Sequence, residues 1–97
     1  MISPSDEKRA LQMYELAMEL VKTRGALVPI GLGILREYRT ESVTIHYLTK
    51  SGHMDVWSGP KVLTIERRGG SAYVTRYTPG DWEEQLEEAA AQPRSEQ

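Results

Sequence analysis

From Pro4 to Arg24 the apolar positions recur at helical spacing. At about 100° per residue, Ala10, Met13, Tyr14, Ala17, Leu20 and Val21 share one face, with Leu11 and Met18 at its edge. Lys8, Gln12, Glu15, Glu19 and Lys22 fall opposite. Ser3 is placed to cap this helix, Pro4 suits its first turn, and Asp6 and Glu7 lie near the positive end of its dipole. The apolar arc covers about half the circumference, wider than a coiled-coil seam, so the pattern predicts a helix laid on a sheet. Gly25 is read as a left-handed stop.

From Leu27 to Thr78 the period shortens to two. Strands are predicted over Leu32–Arg39, Ser42–Thr49, His53–Ser58, Lys61–Arg68 and Ser71–Thr78, with Ser51-Gly52, Gly59-Pro60 and Gly69-Gly70 between the later ones. These connections are too short for crossover helices, so the strands form an antiparallel meander. Gly69-Gly70 reads as a two-residue hairpin turn, which needs the positive φ that glycine takes without strain. It sets a register of Ile65 with Val74, Glu66 with Tyr73, Thr64 with Thr75, and Val62 with Tyr77. Gly59-Pro60 fits a simple turn poorly, and a bulge or bend is expected there. Thr78-Pro79-Gly80-Asp81 then breaks the last strand, and Asp81 with Glu84 makes a capping-box-like start for a second helix from Trp82 to about Ala91.

The expected fold is α+β: an N-terminal helix packed on a four- or five-stranded antiparallel β-meander, followed by a short C-terminal helix. Residues 1–91 form one domain. Residues 92–97, with Pro93 and no apolar anchor, form a flexible tail.

Alternation puts Val43, Ile45, Tyr47, Met54 and Val56 with Leu63, Ile65, Ala72 and Val74 on the face that takes the first helix. The other face carries His46, Leu48, Asp55 and Trp57 on one hairpin and Val62, Thr64, Glu66, Tyr73, Thr75 and Tyr77 on the other. Antiparallel sheets often leave one face to water. Tyr and Trp also supply large contact area with a polar handle, so His46, Trp57, Glu66, Tyr73 and Tyr77 are the candidate partner-binding surface. In the competing arrangement the second helix folds across that face through Trp82 and Leu86, making the aromatics a second core.

With 97 residues, 39% apolar and 27% charged, the chain is the size of one domain that buries about two-thirds of its unfolded surface. The absence of cysteine excludes a disulfide or thiolate-metal framework. The first five residues show no basic-then-apolar signal pattern, and Gly25 to Leu35, an uncharged run of 11 residues, is too short to span about 30 Å of hydrocarbon. A cytoplasmic location is the default expectation.

A net charge of −2 argues against general polyanion binding, but the distribution is uneven. Between Arg24 and Thr78 eight bases face four acids, a surplus of +4, whereas Asp81 to Glu88 carries −5 and no base. The acidic helix either neutralises the basic strands or offers its own surface, so Arg67, Arg68, Arg76, Glu83, Glu84, Glu87 and Glu88 are the candidate electrostatic residues.

No catalytic constellation emerges. With Lys50 opposite His53 as register, the only histidines, His46 and His53, are expected on opposite faces with no shared metal site, and His46 faces Trp57 as a packing partner. His53 reads as a turn histidine near Asp55. Gly31-Leu32-Gly33 lacks the lysine and hydroxyl of a phosphate loop and reads as close backbone packing. No serine sits in a nucleophile elbow, and the acids of the second helix read as a solvated face. No enzyme activity, cofactor or metal is expected.

The leading expectation is a small non-catalytic interaction or regulatory module that uses the open sheet face or a strand edge for a protein partner or for self-association. One alternative is a small-ligand-binding domain or minor enzyme with a pocket between the first helix and the sheet, near Gly31 and Tyr38. Another is a binder of single-stranded nucleic acid that stacks bases on Trp57, Tyr73 and Tyr77 beside Lys61 and Arg68, against which the acidic helix argues.

Overall fold

The computed structural model describes residues 2–31 and 33–92. Helix α1 (Pro4–Arg24) is followed by six strands and a second helix: β1 (Ala26–Ile30), β2 (Gly33–Arg39), β3 (Thr44–Leu48), β4 (Met54–Trp57), β5 (Lys61–Arg68), β6 (Ser71–Tyr77) and α2 (Trp82–Ala91). Each strand pairs antiparallel with the next, in the order β1-β2-β3-β4-β5-β6. The expected α+β meander is present, with six strands in place of four or five. The extra strand is β1. Pro29 argues against a strand in sequence, yet an edge strand tolerates a proline whose missing N–H would point to solvent.

Helix α1 begins as its residues dictate: the Ser3 hydroxyl accepts from the Asp6 N–H at 3.2 Å. Its end differs from expectation. Gly25 is extended (φ −83°, ψ 160°), not left-handed. Glycine is required there by crowding, because a Cβ would run into the Val21 carbonyl oxygen and come within 3.0 Å of that of Glu37. The chain therefore passes from helix to β1 without a separate turn.

The core lies between α1 and one face of the sheet. Ala10, Met13, Tyr14, Ala17, Leu20 and Val21 bury the helical face, and Val43, Ile45, Met54, Val56, Leu63 and Ile65 bury the sheet face. Each fully buried aliphatic side chain contributes about 1.5 to 3 kcal/mol. Trp82 and Leu86 of α2 join this same core, so α2 lies beside α1 and leaves the other sheet face open. The arrangement in which α2 crosses the open face is thus overturned.

Two irregularities reset the expected registers. Gly69 and Gly70 take positive φ (58° and 86°) and pair Ile65 with Val74 and Glu66 with Tyr73 as the sequence implies. A shift between Thr64 and Ile65 then pairs Thr64 with Arg76 and Leu63 with Tyr77, leaving Thr75 as the extra residue. Tyr77 is thereby turned to the core side, against the expected open-face position. A second shift, between Val56 and Trp57, sits beside Gly59-Pro60 where a bulge was expected, and Val62 is buried in place of facing solvent.

Helix α2 starts differently from the expected box. Asp81 makes no side-chain cap bond. The Glu83 carboxylate accepts from the Gly80 N–H at 3.1 Å instead, one half of that device set one residue earlier, since glycine has no side chain to return the bond. The expected start of the first strand at Leu32 and residues 93–97 of the expected tail lie outside the described residues.

Candidate functional site

Two surfaces remain uncovered by the helices: the open face of the sheet and the hairpin formed by β1 and β2. On the open face, pairing places Glu37, His46, Asp55 and Thr64 in one row across four strands. The β3-β4 pairing is two residues away from the expected one, so His46 opposes Asp55 and Thr44 opposes Trp57. The shift arises because the connection is longer than Ser51-Gly52: the Leu48 N–H donates to the His53 carbonyl, and Gly52 (φ 79°) donates to Leu48. An even shift preserves faces, and His53 meets Asp55 at 3.0 Å, so both histidines belong to the open face. The expectation of opposite faces is corrected. No group of three metal-ligating side chains occurs among the described residues.

The row is joined by its own side chains. Glu37 accepts from Arg39 at 2.9 Å and lies 2.9 Å from His46 Nε2. His46 packs edge-on against Trp57 with centroids 4.8 Å apart, as its sequence pairing with an indole suggested. Lys61 sits 5.3 Å over the Trp57 ring and 3.5 Å from Asp55, whose other contacts are Thr64 at 2.8 Å and His53. Hydrogen bonding by His46, with Arg39 second, holds the Glu37 carboxyl below the ordinary range. Further along, Arg68 stacks 4.7 Å over Tyr73 and lies 3.6 Å from Glu66. The structure thus brings His46, Trp57, Glu66 and Tyr73 onto one face, with their charges matched locally, and separates Tyr77 from them.

Tyr77 belongs to a buried junction. Its hydroxyl donates to Glu83 at 2.8 Å, and its ring meets Trp82 edge-on at 6.3 Å. Burial, with the Glu83 bond second, pushes its phenol up to about 12. Glu83, expected on an electrostatic surface, is only 7% exposed and also pairs with Arg9 at 2.8 Å. Glu87 meets the same guanidinium at 3.1 Å. The acidic helix is therefore answered by α1, not by the basic strands. Glu84, Glu88, Arg67 and Arg76 are exposed.

The hairpin of β1 and β2 is different in kind. Its two-residue connection pairs Ile30 with Gly33, Pro29 with Ile34, Val28 with Leu35, and Leu27 with Arg36. One face carries Leu27, Pro29 and Ile34, with Arg36 at its inner end. The other carries Val28, Ile30 and Leu35, continued onto β3 by Leu48. Leu27, Ile30 and Ile34 are 57%, 43% and 47% exposed. Both faces of one hairpin are thus aliphatic and uncovered, beyond the end of α1. A Cβ on Gly31 or Gly33 would meet nothing within 4 Å, so these glycines do not mark the expected close packing. Nor do Gly31 and Tyr38 frame one pocket: Tyr38 lines a cavity of about 360 Å³ against α2, which Gly31 does not reach.

The apolar hairpin is not marked as a contact site by its sequence, where the stretch reads as too short for a membrane span and as close packing at its glycines. The signal is the 11-residue uncharged run itself, too short for a bilayer, whose described residues lie outside the buried core. Compared with family models, curated proteins and solved structures, the chain gives no match.

Proposed function

We propose that the chain is a non-catalytic interaction module that self-associates, with the aliphatic hairpin of β1 and β2 as its contact surface and the adjoining open sheet face as the rim. The observation that carries this reading is the exposure of Leu27, Ile30 and Ile34 on both faces of a single edge hairpin. Exposed aliphatic surface gathered on one hairpin is costly in water and marks a contact site.

The chemistry also favours one mode of contact. The Ile34 carbonyl accepts from the Thr49 N–H, on the side away from β1, so the pair Pro29-Ile34 points its backbone groups outward. Pro29 therefore removes a donor from the free edge of β1, which blunts extension of the sheet by another strand. Contact goes through side chains on the hairpin faces. A second copy fits because an aliphatic patch is its own complement across a twofold axis, with the charged groups, Arg36 and Lys50, at its margin.

Sedimentation of the purified chain across a concentration series tests this. The expected result is a shift to twice the monomer mass, abolished in Leu27→Lys and Ile30→Lys while Tyr73→Ala leaves it intact. A wild-type chain that stays monomeric, or one whose dimer survives both lysine variants, contradicts the hairpin reading. A stoichiometric foreign protein captured by a monomeric wild-type chain and lost in the lysine variants would keep the surface and replace the second copy.

A further inference from the structure

On the α1 side of the sheet, a cleft of about 680 Å³ opens between α1 and the turns that end the β3-β4 and β5-β6 hairpins. Three cations line it, each from a different part of the chain: Lys22 from α1, Lys50 from the first turn and Arg67 from the end of β5. None of the three takes part in an ion pair among the described residues. Glu15 is the single acid among the lining residues. In a chain of net charge −2, this cleft carries a local surplus of two positive charges.

Arg67 is held in place without being neutralised. Its Nη1 donates to the Tyr14 hydroxyl at 3.3 Å and its Nη2 to the Gly70 carbonyl at 3.2 Å, both uncharged acceptors. Gly52 gives its stem room, since a Cβ there would come within 2.7 Å of the Arg67 Cγ. The Tyr14 oxygen, accepting from Arg67, keeps its own proton to donate. A guanidinium with free donors, two ammonium groups and a phenol form an anion-recognition set, and Met18 and Tyr47 on the same walls offer apolar surface beside it. The volume lies within the range of small-ligand sites and exceeds what a bare oxyanion fills.

We propose that this cleft binds a small organic phosphate, with Arg67, Lys50 and Lys22 on the phosphate and Tyr47 and Met18 against the organic part. The cleft borders the hairpin, since Lys50 and Ser51 also line the apolar pocket of Ile30, Ile34 and Leu48, but phosphate binding there does not rest on the hairpin contact.

Titration with phenyl phosphate at constant ionic strength, followed by calorimetry and by backbone amide shifts, tests it, with inorganic phosphate and phenol as the two halves of the probe. The expected result is saturable binding with Kd below about 1 mM, weaker binding of inorganic phosphate, and none of phenol. Shifts should centre on residues 49–53 and 67–70. Arg67→Met and Lys50→Met should each weaken binding about tenfold, while Arg76→Met, outside the cleft, leaves it unchanged. Lys50 is exposed in a turn, so its variant keeps the fold and the test survives any instability of Arg67→Met. Binding that does not saturate by about 10 mM, or that Lys50→Met and Arg76→Met weaken equally, overturns the proposal.

Discussion

Glu83 of α2 and Arg9 of α1 meet at 2.8 Å across 74 positions of sequence, and this contact fixes the second helix against the first. The same carboxylate also takes the Tyr77 hydroxyl and the Gly80 N–H, so a single buried side chain joins α1, β6 and the start of α2. Removing it leaves a phenol and a backbone N–H without their partner. Glu83→Ala is expected to destabilise the fold by about 2 to 3 kcal/mol, read as a lower urea midpoint at unchanged slope. Arg9→Met, whose side chain is partly in water, should cost about 1 kcal/mol or less.

The same junction gives a signature in alkali. The Tyr77 phenol is raised to about 12 from an ordinary 10, first by burial and then by Glu83, so the folded state holds its proton more tightly than the unfolded state. The corresponding stability is fully present below pH 10 and is lost as pH rises towards 12. In a tyrosinate absorbance titration, one of the five tyrosines should ionise late, and Tyr77→Phe should remove that step. A wild-type titration without a late step would contradict the buried position.

At the other end of α2, Arg24 donates from Nη1 to the Ala89 carbonyl and from Nη2 to the Gln92 carbonyl, both at 2.7 Å. It caps carbonyls that a helix end leaves unpaired, a task no basic residue of the last turn of α2 performs. Arg24→Met is expected to speed amide exchange over residues 85–92 about tenfold while the strands stay protected.

Glycines separate packing from freedom. Gly25→Ala drives a methyl group into the Val21 carbonyl oxygen and should cost more than about 2 kcal/mol or shift the entry into β1. Gly33→Ala meets nothing within 4 Å and should raise stability by about 0.4 to 1 kcal/mol by restricting the unfolded chain. Paired denaturation curves check both signs.

These residues also show what was legible in the sequence. The face of α1 and the meander follow from periodicity because one side of each element is buried and the pattern records it. The bulge at Thr75 leaves no such record: inserting one residue reverses every side chain after it, which moved Tyr77 from the open face to the core side. Glu83 shares its exposed-looking pattern with Glu84 and Glu87, and only the position of Arg9 on another helix distinguishes it. Strand β1 was hidden by Pro29, because a proline counts against a central strand but not against an edge. The candidate surface was half legible: His46, Trp57, Glu66 and Tyr73 do share the open face, while the aliphatic hairpin beside them depended on knowing where α1 stops.

Two copies that meet through this hairpin place the methyl groups of Leu27, Ile30 and Ile34 of one copy within reach of those of the other. An isotope-filtered nuclear Overhauser measurement on a mixture of labelled and unlabelled chain reads that proximity directly. Cross-peaks between copies are expected at these three residues and absent at Tyr73 and Trp57. A dimer whose cross-peaks arise from Trp57 and Tyr73, or a mixture with none at about millimolar concentration, would contradict the hairpin as the contact surface.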